Sequence, residues 1–588
     1  MLKTNVPAIE REAIHKIIRR HESQEPLGIA VTPEDRRILR ELARPLAEIA
    51  ALPVQQETKR RWARLNRLQA EKPMIWLNDV CWHELDVDGD LALTTSSPFC
   101  RRIEAGLRQT LYWWTRMPGD LVVDPVIYSP LAVDNSGIGL DVEEDTLASD
   151  ARNDIVSHRY HPVIGGEEDV ERIRIPTITH DEKKSEADFA AYREIFEGVL
   201  AVEKRGTPSI SFSPWDDIVR LMGGEEALLS LAMRPEFVHR LVERVLGAYL
   251  GALDQYESLN LLALNNTNVR IGSGAYGYTD ELPGAGFEPG RVRSTNLWGN
   301  ATAQIFSEVS PQMHEEFALA YERRWLARFG LAYYGCCEPL DRKMDLLRTV
   351  PNLRKISVSP WNDIGRMSEE INGDYVFSWK PNPAVLAYDN WDLEAARNDL
   401  VNTLRAARKN GCSVEIIMKD ISTVRYQPHR LWEWVKMAAE VSSGSQQRKT
   451  LRGLSRCRCL ILPGGSGDQA HCPHPRASLS PGGRPDPSDH APDLRVGPVR
   501  RPHRGRRNPL QLFRFHAGGR ASQAARLHSA PAPRPPGQPD GACAAGHAVG
   551  AEGRRSRRVS LRDHVSPDWT CLCPRAHFML DIGKAQRI

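Results

Sequence analysis

From about residue 73 onward, short runs of apolar residues alternate with longer stretches whose apolar positions recur every three or four residues. The first pattern suits buried strands and the second amphipathic helices. Strand-like runs lie at Pro73–Leu77, Leu121–Tyr128, Ser209–Phe212, Thr295–Trp298, Leu331–Gly335, Arg354–Val358, Tyr375–Trp379 and Val414–Met418. Between them, Pro235–Tyr256 carries a stripe of Val238, Leu241, Val242, Val245, Leu246 and Tyr249, which marks a helix buried on one face. Further helices are expected over Pro311–Phe329, Leu393–Lys409 and Pro428–Glu440. Upstream, Thr32-Pro33-Glu34-Asp35 offers a capping hydroxyl, a first-turn proline and two acids at the positive end of a helix dipole. That helix would bury Ile38, Leu39, Leu42, Leu46 and Ile49, and a basic helix is expected from Glu57 to Gln69.

Eight strands alternating with helices predict an α/β fold, a (β/α)8 (TIM) barrel with N-terminal helices and insertions. A doubly wound sheet competes, but no glycine-rich strand-to-helix turn of the dinucleotide-binding type is present. The segment Asp134–Arg205 has little periodicity until its end and is expected to cover the barrel mouth. The segment Asn265–Arg291 contains Gly-Ser-Gly-Ala-Tyr-Gly-Tyr and reads as a mobile loop. The domains so defined are an extension over 1–30, the barrel over 31–441 and a tail over 442–588.

Charge sharpens the last boundary. Residues 1–440 carry 53 Lys and Arg against 66 Asp and Glu, whereas 441–588 carry 25 against 9. The tail has 17 Pro, two Lys (Lys449 and Lys584), one Glu (Glu552) and no sustained apolar period. With so little to bury it is expected to be disordered. Its Arg clusters, Arg500–Arg507 and Arg554–Arg558, suit nucleic acid or an acidic surface. Arg without Lys equally fits GC-rich coding DNA read out of frame. Six of the 11 Cys lie in the tail without zinc-knuckle spacing. The other five, Cys81, Cys100, Cys336, Cys337 and Cys412, form no disulfide framework. The N-terminus lacks an apolar leader and no run reaches 18 apolar residues, so the expectation is a cytoplasmic protein that does not span a membrane.

In barrels the chemistry gathers at the C-terminal strand ends. There the sequence places Asn78, Asp79, His83 and Glu84; Trp215; Trp298 and Gln304; Cys336, Cys337 and Glu338; Trp361; Lys380 and Asn382; and Lys419, Asp420 and Arg425. Polar groups with aromatic walls suit an organic small molecule. Buried Lys380 and Lys419 require a carboxylate, a phosphate or the ligand itself. Adjacent cysteines on a regular strand face opposite sides, so one of Cys336 and Cys337 is expected to pack in the core.

Several pieces resemble the uroporphyrinogen decarboxylase superfamily over about residues 30–441. They are Gly223-Gly224, Ser310-Pro311-Gln312-Met313-His314-Glu315-Glu316-Phe317, and Lys380-Pro381-Asn382-Pro383 in place of the family's Gly-Asn-x-Asp-Pro turn. The resemblance implies a (β/α)8 barrel and either tetrapyrrole decarboxylation or zinc-dependent methyl transfer with a corrinoid protein. The decarboxylase pattern Arg-Gln-Ala-Gly-Arg is replaced by Asn78-Asp79-Val80-Cys81-Trp82-His83-Glu84-Leu85, which lacks Arg. The methyltransferase pattern His-x-Cys is met by Tyr334-Gly335-Cys336, and Lys419-Asp420 stands near its last Cys.

The expectation is therefore methyl transfer involving a corrinoid protein or a methylated small molecule. Cys336, His83 and Glu84 would be catalytic, and Cys336, Cys337 and Glu338 would hold zinc. Cobalamin would reside on a partner protein. Trp215, Trp298, Gln304, Trp361, Lys380, Asn382, Lys419, Asp420 and Arg425 would bind substrate. The alternatives are decarboxylation in porphyrin metabolism, or a non-catalytic or frameshifted chain whose basic tail binds nucleic acid.

Overall fold

The structure, a computed structural model, describes residues 30–147 and 157–444. Seven parallel strands make one sheet: β1 (Met74–Leu77), β2 (Ser211–Phe212), β3 (Trp298–Ala301), β4 (Leu331–Tyr334), β5 (Leu353–Val358), β6 (Val376–Trp379) and β7 (Ser413–Met418). Their order across the sheet is β1-β7-β6-β5-β4-β3-β2, a barrel succession with one member missing between β1 and β2. The expected α/β class is present, and the expected eight strands are corrected to a seven-stranded parallel sheet among the described residues. The tail and N-terminal extension lie outside the described residues, apart from Ala30 and 442–444. No described helix is long and apolar enough to cross a membrane.

The missing member is Leu121–Tyr128. Its start stays beside β1, where Asp120 N donates to Ile75 O at 3.1 Å. Beyond that, side chains replace the ladder. Gln55 Oε1 accepts from Val123 N at 2.9 Å, and Asn268 Nδ2 donates to Val122 O at 3.2 Å. A backbone satisfied this way needs no strand partner. Only Val126–Pro130 is extended, and it pairs outside the main sheet with Ala201–Arg205.

The glycine-rich segment is not a mobile loop. Val269, Ile271, Ala275, Tyr276 and Tyr278 are buried, and the segment fills the N-terminal half of the sheet's interior. The Tyr276 ring lies 4.3 Å from Trp76 and 5.5 Å from Trp62, centroid to centroid. Asn66 Nδ2 donates to Tyr276 O and Tyr278 O at 3.0 and 2.8 Å. Its glycines serve close approach: a Cβ on Gly277 would stand 2.2 Å from Asn265 O, and Gly272, at φ +55°, lies against Tyr333.

Beneath the plug, Lys355 of β5 and Glu415 of β7 form an ion pair at 3.0 Å with both side chains fully buried. The plug completes it: Lys355 Nζ donates to Tyr276 O at 3.2 Å and Ala275 N to Glu415 Oε1 at 3.4 Å. Charges taken out of water need such extra partners.

Helices follow the expected stripes. Thr32 caps Pro33–Ala50 through Asp35 N, and Pro235–Ser258 buries all six predicted stripe residues. The helix after β3 departs from regularity, because a π-turn over Glu315–Leu319 separates Pro311–His314 from Ala320–Leu326. Within the segment expected over the barrel mouth, Glu167 to Ile178 lies along Pro235–Ser258: Gln255 bonds Ile178 N and Pro176 O, and Arg240 pairs with Glu167.

The buried pair yields a stability prediction. Lys355→Met strands the Glu415 carboxylate and is expected to cost about 3–5 kcal/mol in urea unfolding, while Lys355→Met/Glu415→Leu recovers most of that loss. A double variant no more stable than the single one would contradict the assignment.

Candidate active site

The site is built around the end of β4. Tyr333 and Tyr334 face opposite sides of the sheet, as alternation requires. Gly335 then takes φ +93°, where an added Cβ would meet Leu340 Cδ1 at 2.7 Å and Ser357 Cβ at 3.0 Å. The turn ends strand alternation, so the Cys336 and Cys337 sulfurs come within 3.6 Å of each other. The expectation that they face opposite sides is corrected. Cys336 is buried and Cys337 half-buried.

Glu338 folds back beneath this turn. Its carboxylate accepts from Cys336 N and from Thr302 Oγ1, each at 2.9 Å. Burial, reinforced by the charge of Cys336, pushes its carboxyl up to about 7. Glu338 is therefore a clamp on the turn rather than a metal ligand.

Ser357 Oγ donates to Cys336 O at 2.7 Å and accepts from Lys380 Nζ at 2.9 Å. Lys380 also reaches Ser378 O at 2.9 Å, Ser378 Oγ at 3.1 Å and the Tyr333 hydroxyl. These partners are hydroxyls and a carbonyl. Burial, with Lys419 adding to it and Glu415, Cys336 and Cys337 opposing, lowers the amine to about 7. Its N–H groups donate to the Tyr333 hydroxyl, Ser357 Oγ and Ser378 O and Oγ, none of which carries a charge.

The other predicted residues divide. Lys419 pairs with Asp420, whose φ is +55°. His83 Nε2 lies 3.7 Å from Glu84 Oε1. Glu84 accepts from Thr423 Oγ1, Val424 N and Tyr426 N at 2.7, 2.7 and 3.0 Å, so it secures the turn carrying Arg425 rather than handling protons. Arg425 reaches outward to Asp389 at 2.6 Å. Asn382 caps the turn at Pro383–Leu386 through Ala384 N. Trp215 is core, bonded to Phe317 O at 3.0 Å. Trp298 begins β3 instead of ending it, so it sits in the plug layer and donates to Gly277 O. Gln304 Nε2 donates to Asp216 Oδ1 at 2.7 Å, and Trp361 is 54% exposed. A cleft of about 310 Å³ opens on the flank of β6, where Trp379, Lys380, Asn382, Asp392, Asp399 and Thr403 line it.

A second network, absent from the sequence reading, lies behind β4. Lys343 Nζ donates to His314 Nδ1 at 3.1 Å, His314 Nε2 meets the Tyr334 hydroxyl at 2.6 Å, and that hydroxyl donates to Glu322 Oε2 at 2.6 Å. The π-turn brings His314 and Glu322 to the same tyrosine. Burial, with Lys343 adding to it, holds His314 well below its ordinary value. Burial raises Glu322 to about 8. Tyr334 thus turns its hydroxyl to His314 and Glu322.

Zinc can be tested against these contacts. Among the described residues no three His, Cys, Asp or Glu side chains form a metal-holding group. Cys336 and Cys337 supply two sulfurs, Glu338 is committed to its clamp, and Lys419 replaces the last Cys. The three-ligand zinc set does not fit.

Fold and site together define an α/β protein with a thiol and amine centre at the C-terminal ends of parallel strands. No protein-family model matches the chain, and no curated protein matches it. Among solved structures, a methyltransferase from Methanosarcina mazei overlays 65% of this chain and 98% of its own, at 11% identity and a TM-score of 0.37. So loose an overlay carries no argument about activity.

The raised carboxyls set a pH prediction. Glu322 has a folded value above its unfolded one, so its contribution to stability is full below about pH 4.5 and lost as pH rises through about 8. Glu322→Gln, which mimics the protonated form, is expected to lie within about 1 kcal/mol of wild type at about pH 5. It should gain on wild type by about 1 kcal/mol or more at about pH 9. Urea midpoints at the two pH values check this; a constant difference would refute it.

Proposed function

We propose that the chain is an enzyme that transfers a methyl group to a small nucleophile at the C-terminal ends of β4 to β7. One observation carries the reading. Two sulfurs lie 3.6 Å apart, and Ser357 links the backbone carbonyl of Cys336 to a buried amine bonded to hydroxyls and a carbonyl. The residue resemblance to the methyltransferase branch supplies the methyl group; the geometry supplies a proton acceptor beside a soft surface.

In this reading Lys380 is neutral above about pH 7 and removes the proton from an acceptor thiol or amine. The acceptor's lone pair forms the new bond to the methyl carbon as the bond to the donor's leaving group breaks, and the leaving group keeps that electron pair. The donor is a methylated small molecule or the methylcorrinoid of a partner protein. Cys336 and Cys337 face the acceptor, Lys419 attracts an anionic group, and Ser357 and Tyr333 orient the amine. Since the three-ligand zinc set does not fit, no step runs through zinc.

Methylcobalamin with dithiothreitol as acceptor tests the reading. Wild type is expected to demethylate the corrinoid at a rate that rises through about pH 7 as Lys380 loses its proton. Lys380→Met should slow transfer about 100-fold or more, and Cys336→Ala about tenfold. Rates unchanged in both variants, or a profile flat through neutral pH, would refute it.

A further inference from the structure

Cys336 and Cys337 are adjacent in the chain, yet their sulfurs lie only 3.6 Å apart. A disulfide places them about 2.05 Å apart, so closure requires an approach of about 1.5 Å. The surrounding backbone is held in a way that favours this motion in one residue. Cys336 is fixed at both its N–H, by Glu338, and its carbonyl, by Ser357. Cys337 is the more exposed of the two. The pair therefore sets a half-buried cysteine beside a buried one, the order that suits an attacking and a resolving thiol. Both act electrostatically on Lys380, which places a cationic group close by when that amine is protonated.

We propose that Cys336 and Cys337 form a reversible dithiol–disulfide site, oxidised by exchange with a small-molecule disulfide. The Cys337 thiolate attacks one sulfur of the incoming disulfide, whose S–S bond breaks to release the first small thiolate. The Cys336 thiolate then attacks the Cys337 sulfur of the mixed disulfide and displaces the second small thiolate. The two cysteines lose two electrons and two protons; the small disulfide gains both and leaves as two thiols. Consecutive Cα atoms stand about 3.8 Å apart, closer than the 4.4–6.8 Å or so usual for disulfides, so the ring is strained and readily reduced. Closing it removes the Cys336 thiol from the centre. The exchange does not depend on methyl transfer, because it needs only the two sulfurs.

The full chain is treated with glutathione disulfide, then alkylated with iodoacetamide, and the peptide carrying both cysteines is weighed. The expected product is two hydrogens lighter than the dithiol peptide, carries no alkyl group, and takes up two alkyl groups after dithiothreitol. Cys336→Ser, lacking the resolving thiol, should retain one glutathione on Cys337. A wild-type peptide with two alkyl groups, or with a persistent glutathione adduct, would overturn the proposal. Because the readout is mass, it stands apart from any failure of the methyl-transfer assay.

Discussion

The buried ion pair between Lys355 and Glu415 is the constraint around which the interior is arranged. Two charges at the centre of a parallel sheet, both fully buried, persist only with further hydrogen bonds. The Asn265–Arg291 segment supplies them from the carbonyl of Tyr276 and the N–H of Ala275. To arrive there the chain threads inward past Trp62 and Trp76, and glycine is required where it crosses Asn265 and Tyr333. The same segment sends Asn268 to the Val122 carbonyl, so the plug and the missing strand share a cause.

The pair also decides the chemistry one layer higher. Glu415 favours the charged form of Lys380 from a distance, but its hydrogen bonds go to Lys355 and the Ala275 N–H. Lys380 is left with Ser357, Ser378 and Tyr333 as partners. A buried ammonium with only neutral partners gives up its proton easily. Burial, acting against the charge of Glu415, thereby favours a neutral amine near the top of the sheet.

Much of this was legible in the residues. Apolar periodicity located several long helices, though not Pro98–Arg116 or Glu182–Phe196, and seven of the eight strands, and strand-end logic singled out Cys336, Lys380 and Lys419. What escaped it depends on distant partners. Leu121–Val123 reads as a strand, yet its backbone is satisfied by Gln55 and Asn268. A three-residue shift of β3 moved Trp298 from the end of a strand to its beginning. In a linear reading Glu84 resembles a catalytic acid and Glu338 a metal ligand, because nothing local shows that backbone N–H groups occupy them. Ser357 and Ser378 were invisible for the opposite reason: small hydroxyls on inward strand positions acquire meaning only when Lys380 is set among them.

Around β4 the structure keeps its ionisable groups close to neutrality. Glu322 and Glu338 are raised, His314 is lowered and Lys380 is lowered, each chiefly by burial. Such a region holds little fixed charge, so the ligand supplies the deciding term. An anion entering beside Lys380 favours the protonated amine and draws a proton in with it, whereas a neutral acceptor leaves the amine able to take one. The centre thus distinguishes ligands by charge before any bond is made. A group that anchors an anion by becoming protonated can no longer act as the base. Lys419, paired with Asp420 at the same end of the sheet, is better suited to anchoring, and Lys380 to proton transfer.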